Sequence, residues 1–210
     1  MKENSARNNI LKKIKQALNK PVPVPFPQTK EHYDIFTENE SDLATVFAET
    51  FSNLQGRFVY CSGMGEFISQ LKTLIAAREW TEIFCSEDDL KSRLAANDFH
   101  IDYSSSLASC HASITSCEFL IARTGSIVLS SAAANGRTAS VYAPVHICVA
   151  YTHQLVHDVH DALLKFGAEK NNMPSLISFA TGPSRTADIE KTLVTGVHGP
   201  KEVFCFLIEG

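Results

Sequence analysis

From Ser41 onward, segments with apolar residues at helical spacing alternate with short apolar runs of strand length. That alternation points to helices packed on a largely parallel sheet, because parallel neighbours need a long crossover and the crossover is usually a helix. "SDLATVFAETFSNLQG" sets Leu43, Val46, Phe47, Phe51 and Leu54 on one helical face and closes at Gly56. "RFVYC" reads as a strand, "EFISQLKTLIAARE" as a helix and "TEIFC" as the next strand. "SEDDLKSRLAAND" is a helix opened by Ser86 and Asp89 at capping-box spacing. "ASITSCEFLIARTGSIVLSS" is mostly strand-like, with a break near Thr124 and Gly125, and "HICVA" is a strand. "HQLVHDVHDALLKFG" reads as a helix, and the final section as strand "SLISFA", loop, short helix around "TADIE", loop, and strand "EVFCFLI".

Ahead of this pattern, "ARNNILKKIKQALNK" carries Ile10, Leu11, Ile14 and Leu18 on one side of a helix and lysines on the other. "PVPVPFPQ" follows, and prolines at alternate positions favour an extended linker. The expected organisation is a helix and proline-rich linker over residues 1–28, then one α/β domain over 29–210. An apolar fraction of 44% with 20% charged residues suits a globular domain, and a net charge of -4 gives no reason to invoke nucleic acid. No apolar run reaches the roughly 18 residues that span a bilayer, and the amino end lacks a signal peptide's apolar stretch, so a cytoplasmic location is expected.

The six cysteines form no CxxC pair or cluster run and read as reduced, buried small hydrophobes. With no G-x-G-x-x-G fingerprint either, no cofactor is expected in this chain. His153, His157 and His160 fall at i, i+4 and i+7, a spacing that can place imidazoles on one metal. Leu164 continues that stripe, so a partly exposed helix boundary is the simpler reading and no metal site is expected.

Candidate chemistry gathers in the C-terminal loops. Thr124-Gly125, Thr181-Gly182 and Thr195-Gly196 each combine a bare backbone with a hydroxyl, as in a plain turn or an anion site. Ser184, Arg185 and Thr186 add donors at the expected start of the "TADIE" helix, where the backbone dipole favours anions. Arg185 has the alternative of pairing with Asp188 or Glu190. Arg137, in "AAANGRTAS", is either a second guanidinium for that pocket or a solvated loop residue. Between Gly196 and Gly199, His198 is a candidate general acid or base, imidazole titrating near neutrality, or a turn residue. Thr124, Gly125, Ser126, Arg137, Gly182, Ser184, Arg185 and Thr186 are thus the candidate anion-binding set, with His198 as the candidate catalytic group.

"ARTGSIVLSSAAANGRTASVYAPVHICV" and "TGPSRTADIEKTLVTGVHGPKEVFCFLI" together resemble the LUD-domain family, also known as DUF162, most strongly from about Glu118 to the end. The resemblance implies a Rossmann-like three-layer α/β/α fold related to the ribose-phosphate isomerase and coenzyme A transferase superfamily. It also implies a subunit of a system oxidising L-lactate to pyruvate, alongside a cysteine-rich subunit and an iron-sulfur subunit that carries the clusters. A small carboxylate or phosphate is the ligand expected on this reading. The related superfamily leaves an independent isomerase or transferase acting on a phosphorylated or thioester substrate as the alternative, with a non-catalytic adaptor as a third. One position departs from the family, which commonly has A-E-T-G or A-D-T-G where this chain has Ala122-Arg123-Thr124-Gly125.

Overall fold

The computed structural model describes residues 3–19, 42–133, 138–168, 173–189 and 192–210. The chain divides into two units, Met1–Glu40 and Ser41–Gly210. In the first, helix α1 spans Glu3–Leu18, and the proline run lies outside the described residues.

The second unit is built on a five-stranded, all-parallel sheet: β1 (Arg57–Cys61), β11 (Glu202–Ile208), β6 (Val145–Tyr151), β3 (Ala112–Ser116) and β2 (Ile83–Phe84), in that spatial order. The two central strands are apolar on both faces, as strands covered on both sides must be. Phe204, Phe206 and Ile208 of β11 and Ile147 and Val149 of β6 face one core, which is closed by α3 (Met64–Ala77) and α4 (Asp88–Ala95). Val203, Cys205 and Leu207 with Cys148 and Ala150 face the other, under α2 (Leu43–Asn53). The amino end of α2 is held by Asp42, whose carboxylate accepts from the Thr45 N–H and hydroxyl, both at 3.0 Å. Its buried Phe47 and Phe51 stack with centroids 5.3 Å apart.

The largely parallel α/β architecture is as expected, and a second sheet joins it. β7 (Leu155–Val156), β4 (Phe119–Ile121), β5 (Ser126–Ser130) and β8 (Ile177–Ala180) form a four-stranded mixed sheet. Leu120, Ile127 and Leu129 pack with α2 into the second core, while Ile121 and Val128 face α6 (Val159–Ala168) through Val156 and Ala162. The strand-like section 112–131 is therefore split between two sheets, β3 serving one and β4 and β5 the other.

Three local expectations are corrected. First, residues 186–189 of the expected "TADIE" helix are not helical: β9 (Arg185–Ile189) and β10 (Thr192–Thr195) form an antiparallel hairpin with Arg185 opposite Thr195 and Thr186 opposite Val194. A single helical turn cannot repay its own nucleation, whereas a strand ladder pairs the backbone at once. Second, the helix read from "HQLVHDVHDALLKFG" starts only at Val159. Asp158 accepts from the Val159 N–H, and Asp161 accepts from the Asp158 N–H at 2.9 Å, a reciprocal cap that sets the start. His153 lies on the 3-10 turn Thr152–Gln154, His157 on a bend and His160 on α6, so the three imidazoles share no helical stripe. Third, α4 has Glu87 as its cap residue with no side-chain cap bond, because that carboxylate is turned into the sheet toward Ser116. The Ser86 hydroxyl has no partner among the described residues.

Candidate functional site

The sequence-predicted residues separate into two groups. Thr124, Gly125, Ser126 and Gly182 meet where β5 begins and β8 ends, with Ser126 Oγ 2.7 Å from Thr124 Oγ1 and 3.2 Å from Thr181 Oγ1. Gly125 has φ +58°, and a Cβ there would stand 2.8 Å from the Phe51 backbone nitrogen; Gly182 has φ +82°, and its Cβ would stand 2.6 Å from the Leu54 carbonyl oxygen. The close approach that these glycines permit is thus made to the carboxyl end of α2. Helix carbonyls leave a partial negative charge there, an unfavourable setting for an anion.

Ser184, Arg185, Thr186 and His198 form the second group, on the β9–β10 hairpin and the turn that follows it. The Gly196 N–H donates to the Ser184 carbonyl and the Ser184 N–H to the Pro200 carbonyl, both at 2.9 Å. Lys201 N–H in turn donates to the Pro144 carbonyl at 2.8 Å, which fixes this turn at the amino-terminal edge of β6 and β11. A Cβ on Gly199 would come within 2.8 Å of Ser184 Cβ, so the turn lies flat on Ser184 and projects His198 outward. His198, Val197, Gly196 and Gly199 line a cavity of ≈ 370 Å³ with Val141 and Tyr142 of α5 (Ala139–Tyr142). Arg185 is exposed on the hairpin beside it, and Arg137 lies outside the described residues. No helix starts at Ser184, so the helix-dipole argument for an anion at that point falls away.

A cleft that the sequence reading missed sits at the opposite, carboxyl edge of the sheet. Glu87 is 8% exposed and accepts from the Ser116 N–H at 2.8 Å and from the Ser116 hydroxyl. Glu118 accepts from the Ser130 hydroxyl at 2.5 Å. Both carboxylates line a cavity of ≈ 480 Å³ with Asp88, Asp89, Ser116 and Cys117. The available signal was positional: Glu87 and Glu118 follow β2 and β3, and loops after the carboxyl ends of parallel strands are where α/β folds place ligands.

All six cysteines are free and buried. Burial pushes the Cys61 and Cys85 thiols up to about 11, and hydrogen bonding to Cys148 together with burial raises Cys117 well above its usual range. Neutral, enclosed thiols are poor nucleophiles. Among the described residues no three His, Cys, Asp or Glu side chains are gathered to hold a metal, and no helix is long and apolar enough to cross a membrane.

Arg123, the departure from the family pattern, pairs with Asp158 through Nε at 2.5 Å and Nη2 at 3.0 Å. Hydrogen bonding from Arg123 is the main cause holding the Asp158 carboxyl below the usual carboxylate range. Asp158 is 5% exposed, so Arg123→Ala leaves a buried carboxylate short of its cation. The expected loss is about 1–2 kcal/mol, because the arginine itself is partly solvated. Thermal unfolding of Arg123→Ala and of Arg123→Glu checks this, the second falling further because like charges then meet.

The LUD domain model matches residues 100–208, more than half of the chain. The chain belongs to the LUD domain family. An uncharacterized protein of Neisseria meningitidis is 39% identical to this LUD chain over 88 residues, 42% of this chain and 38% of that one. Lactate utilization protein C of Bacillus subtilis is 35% identical over 98 residues, 45% and 41% of the two chains. That of Oceanobacillus iheyensis is 24% identical over 189 residues, 85% and 75%. The shorter matches leave this LUD chain spanning about two fifths of each such relative. A crystal structure of a DUF162 family protein from Deinococcus radiodurans shares the fold with a TM-score of 0.59 at 18% identity, covering 79% of this chain and 96% of that one.

Proposed function

We propose that this chain is a cytoplasmic subunit of a lactate-utilization system that oxidises L-lactate to pyruvate, with iron-sulfur clusters on a partner subunit. The supporting observation is the match of 45% of the chain to relatives named lactate utilization protein C. Removing two electrons from a 2-hydroxy acid needs an acceptor that protein side chains do not provide, which is the reason for redox partners in this reading. Charge favours one of the two cavities as the seat of a small carboxylate or phosphate. The carboxyl-edge cleft is lined by four acidic side chains and repels an anion, whereas the amino-edge cavity offers the His198 imidazole and the Tyr142 phenol, with Arg185 opposite Thr195 on the adjoining hairpin. In that cavity His198 takes up the proton of the 2-hydroxyl, while the C2 hydrogen and its electron pair leave to an acceptor on the redox partners.

Reconstitution tests the reading: lactate-dependent electron transfer is measured with this chain alone, with the cysteine-rich and iron-sulfur subunits alone, and with all three. Turnover is expected only from the full set, falling about 100-fold with His198→Gln, the usual size of a lost general base. Turnover by this chain alone with an artificial acceptor would overturn the need for partners. Full activity without the chain would reduce it to an adaptor. Glu87 and Glu118, which line one cavity, favour a second reading, an independent isomerase or transferase using a carboxylate as base or nucleophile on a phosphorylated or thioester substrate. Retained activity in Glu118→Gln with loss in His198→Gln separates the first reading from the second.

A further inference from the structure

An open groove of ≈ 690 Å³ lies between α2, the edge strand β1 and the turn after β6, away from both cavities described above. Its walls are apolar and half-buried: Leu43, Ala44 and Ala48 from α2, Phe58 from β1, and Leu155 from β7. Tyr60 stands beside them, 46% exposed. Asp42 and Glu49 sit on the rim, and among the described residues no lysine or arginine lines the groove. Desolvation is the main cause raising the Tyr60 phenol above its usual range, and the Glu209 carboxylate hydrogen-bonded to it adds to the effect.

We infer that this groove is a docking site for a basic amphipathic helix carried by a partner protein. Each part of the surface matches one part of that occupant. The apolar trough takes a hydrophobic helix face, as grooves of this kind do in helix recognition. Asp42 and Glu49 on the rim, with Glu209 beside Tyr60, meet lysines or arginines along the flanks, and the same charges turn away acidic segments and anionic membranes. Ala44 and Ala48 are one helical turn apart on α2, so their small side chains let a second helix axis come close.

The full chain is titrated with a labelled, about 18-residue amphipathic peptide of leucine and lysine, and with its leucine–glutamate counterpart. The basic peptide binds and the acidic one does not. Glu49→Lys, on the exposed side of α2, weakens binding about tenfold, as does raising the salt from about 0.05 to about 0.5 M. Tyr60→Ala weakens it as well, while Glu82→Lys, beside β2 at the opposite edge of the sheet, leaves it unchanged. Melting curves establish that each variant is folded. Equal affinity for wild type and Glu49→Lys, preference for the acidic peptide, or no binding overturns the inference. So does a wild-type dimer in sedimentation that Tyr60→Ala dissolves, which would assign the groove to a second copy of this chain.

Discussion

Lowering the pH from neutrality toward 4 removes on the order of 3 kcal/mol of folding stability, and the proton responsible goes to His146. This residue is 1% exposed at the start of β6, with Nε2 2.8 Å from Thr115 Oγ1 and Nδ1 without a partner among the described residues. Burial pushes its pKa down to about 4. In the unfolded chain the imidazole titrates near its ordinary value of about 6.5. Between those limits the unfolded state binds a proton that the folded state refuses, so stability is full above pH 6.5 and is lost as pH falls to 4. The carboxyls of Asp42, Glu66, Asp158 and Glu202 are held below their ordinary values of 3.8 or 4.5, so their contributions are lost at still lower pH. Urea unfolding at successive pH values reads the slope. His146→Gln, whose amide can still meet Thr115, flattens it across this window. A His146 imidazole signal titrating near pH 6.5 in the folded protein would refute the assignment.

Gly125→Ala costs about 3 kcal/mol, the sum of left-handed backbone strain and a clash that cannot relax cheaply. The atoms in the way are backbone: Phe51 N at 2.8 Å, Phe51 Cα at 3.0 Å and the Thr50 carbonyl carbon at 3.0 Å. Making room means lifting the end of α2 from the second sheet, which disturbs the buried Phe51. Gly125→Val falls further, since its branches add to the overlap. Gly65→Ala is the control: it lies in α3, where a Cβ meets nothing within 4 Å, and is expected to gain about 0.5–1 kcal/mol. Denaturant midpoints for the three variants decide the matter, and a Gly125→Ala midpoint equal to wild type would discard the account.

Where periodicity and burial agree, the sequence was readable: α2, α3, β6 and β11 show their packing faces directly in the spacing of Phe, Leu, Ile and Val. It was least readable where pairing with distant chain decides the conformation. Leu155–Val156 looks like helix interior, yet it pairs with Leu120–Ile121 as a strand. Arg185–Ile189 has a helix-compatible composition and becomes a strand because Thr192–Thr195 is there to meet it. The candidate site suffered in the same way. Two loop regions of similar composition, residues 124–126 and 182–186, form one candidate set in the sequence, but Gly125 and Gly182 approach the carboxyl end of α2, while Ser184 and His198 belong to a turn at the amino edge of the sheet. Glu87 and Glu118 sit in no glycine- or hydroxyl-rich loop that would mark them, and the pairing of β2 with β3 brings them to one cleft.

The place of β11 between β1 and β6 carries a consequence for synthesis. β1 is the first strand of the sheet in chain order, and its ladder partner is β11, the last. Ribosomes add about 5–20 residues per second, so β1 waits on the order of ten seconds after it is made before β11 exists. During that wait Phe58 and its neighbours have α2 and α3 for cover but no adjacent strand, leaving both edges of β1 unpaired. The nascent chain is then most exposed to strand-edge association, and a stall or truncation ahead of Glu202 would prolong that vulnerable state indefinitely.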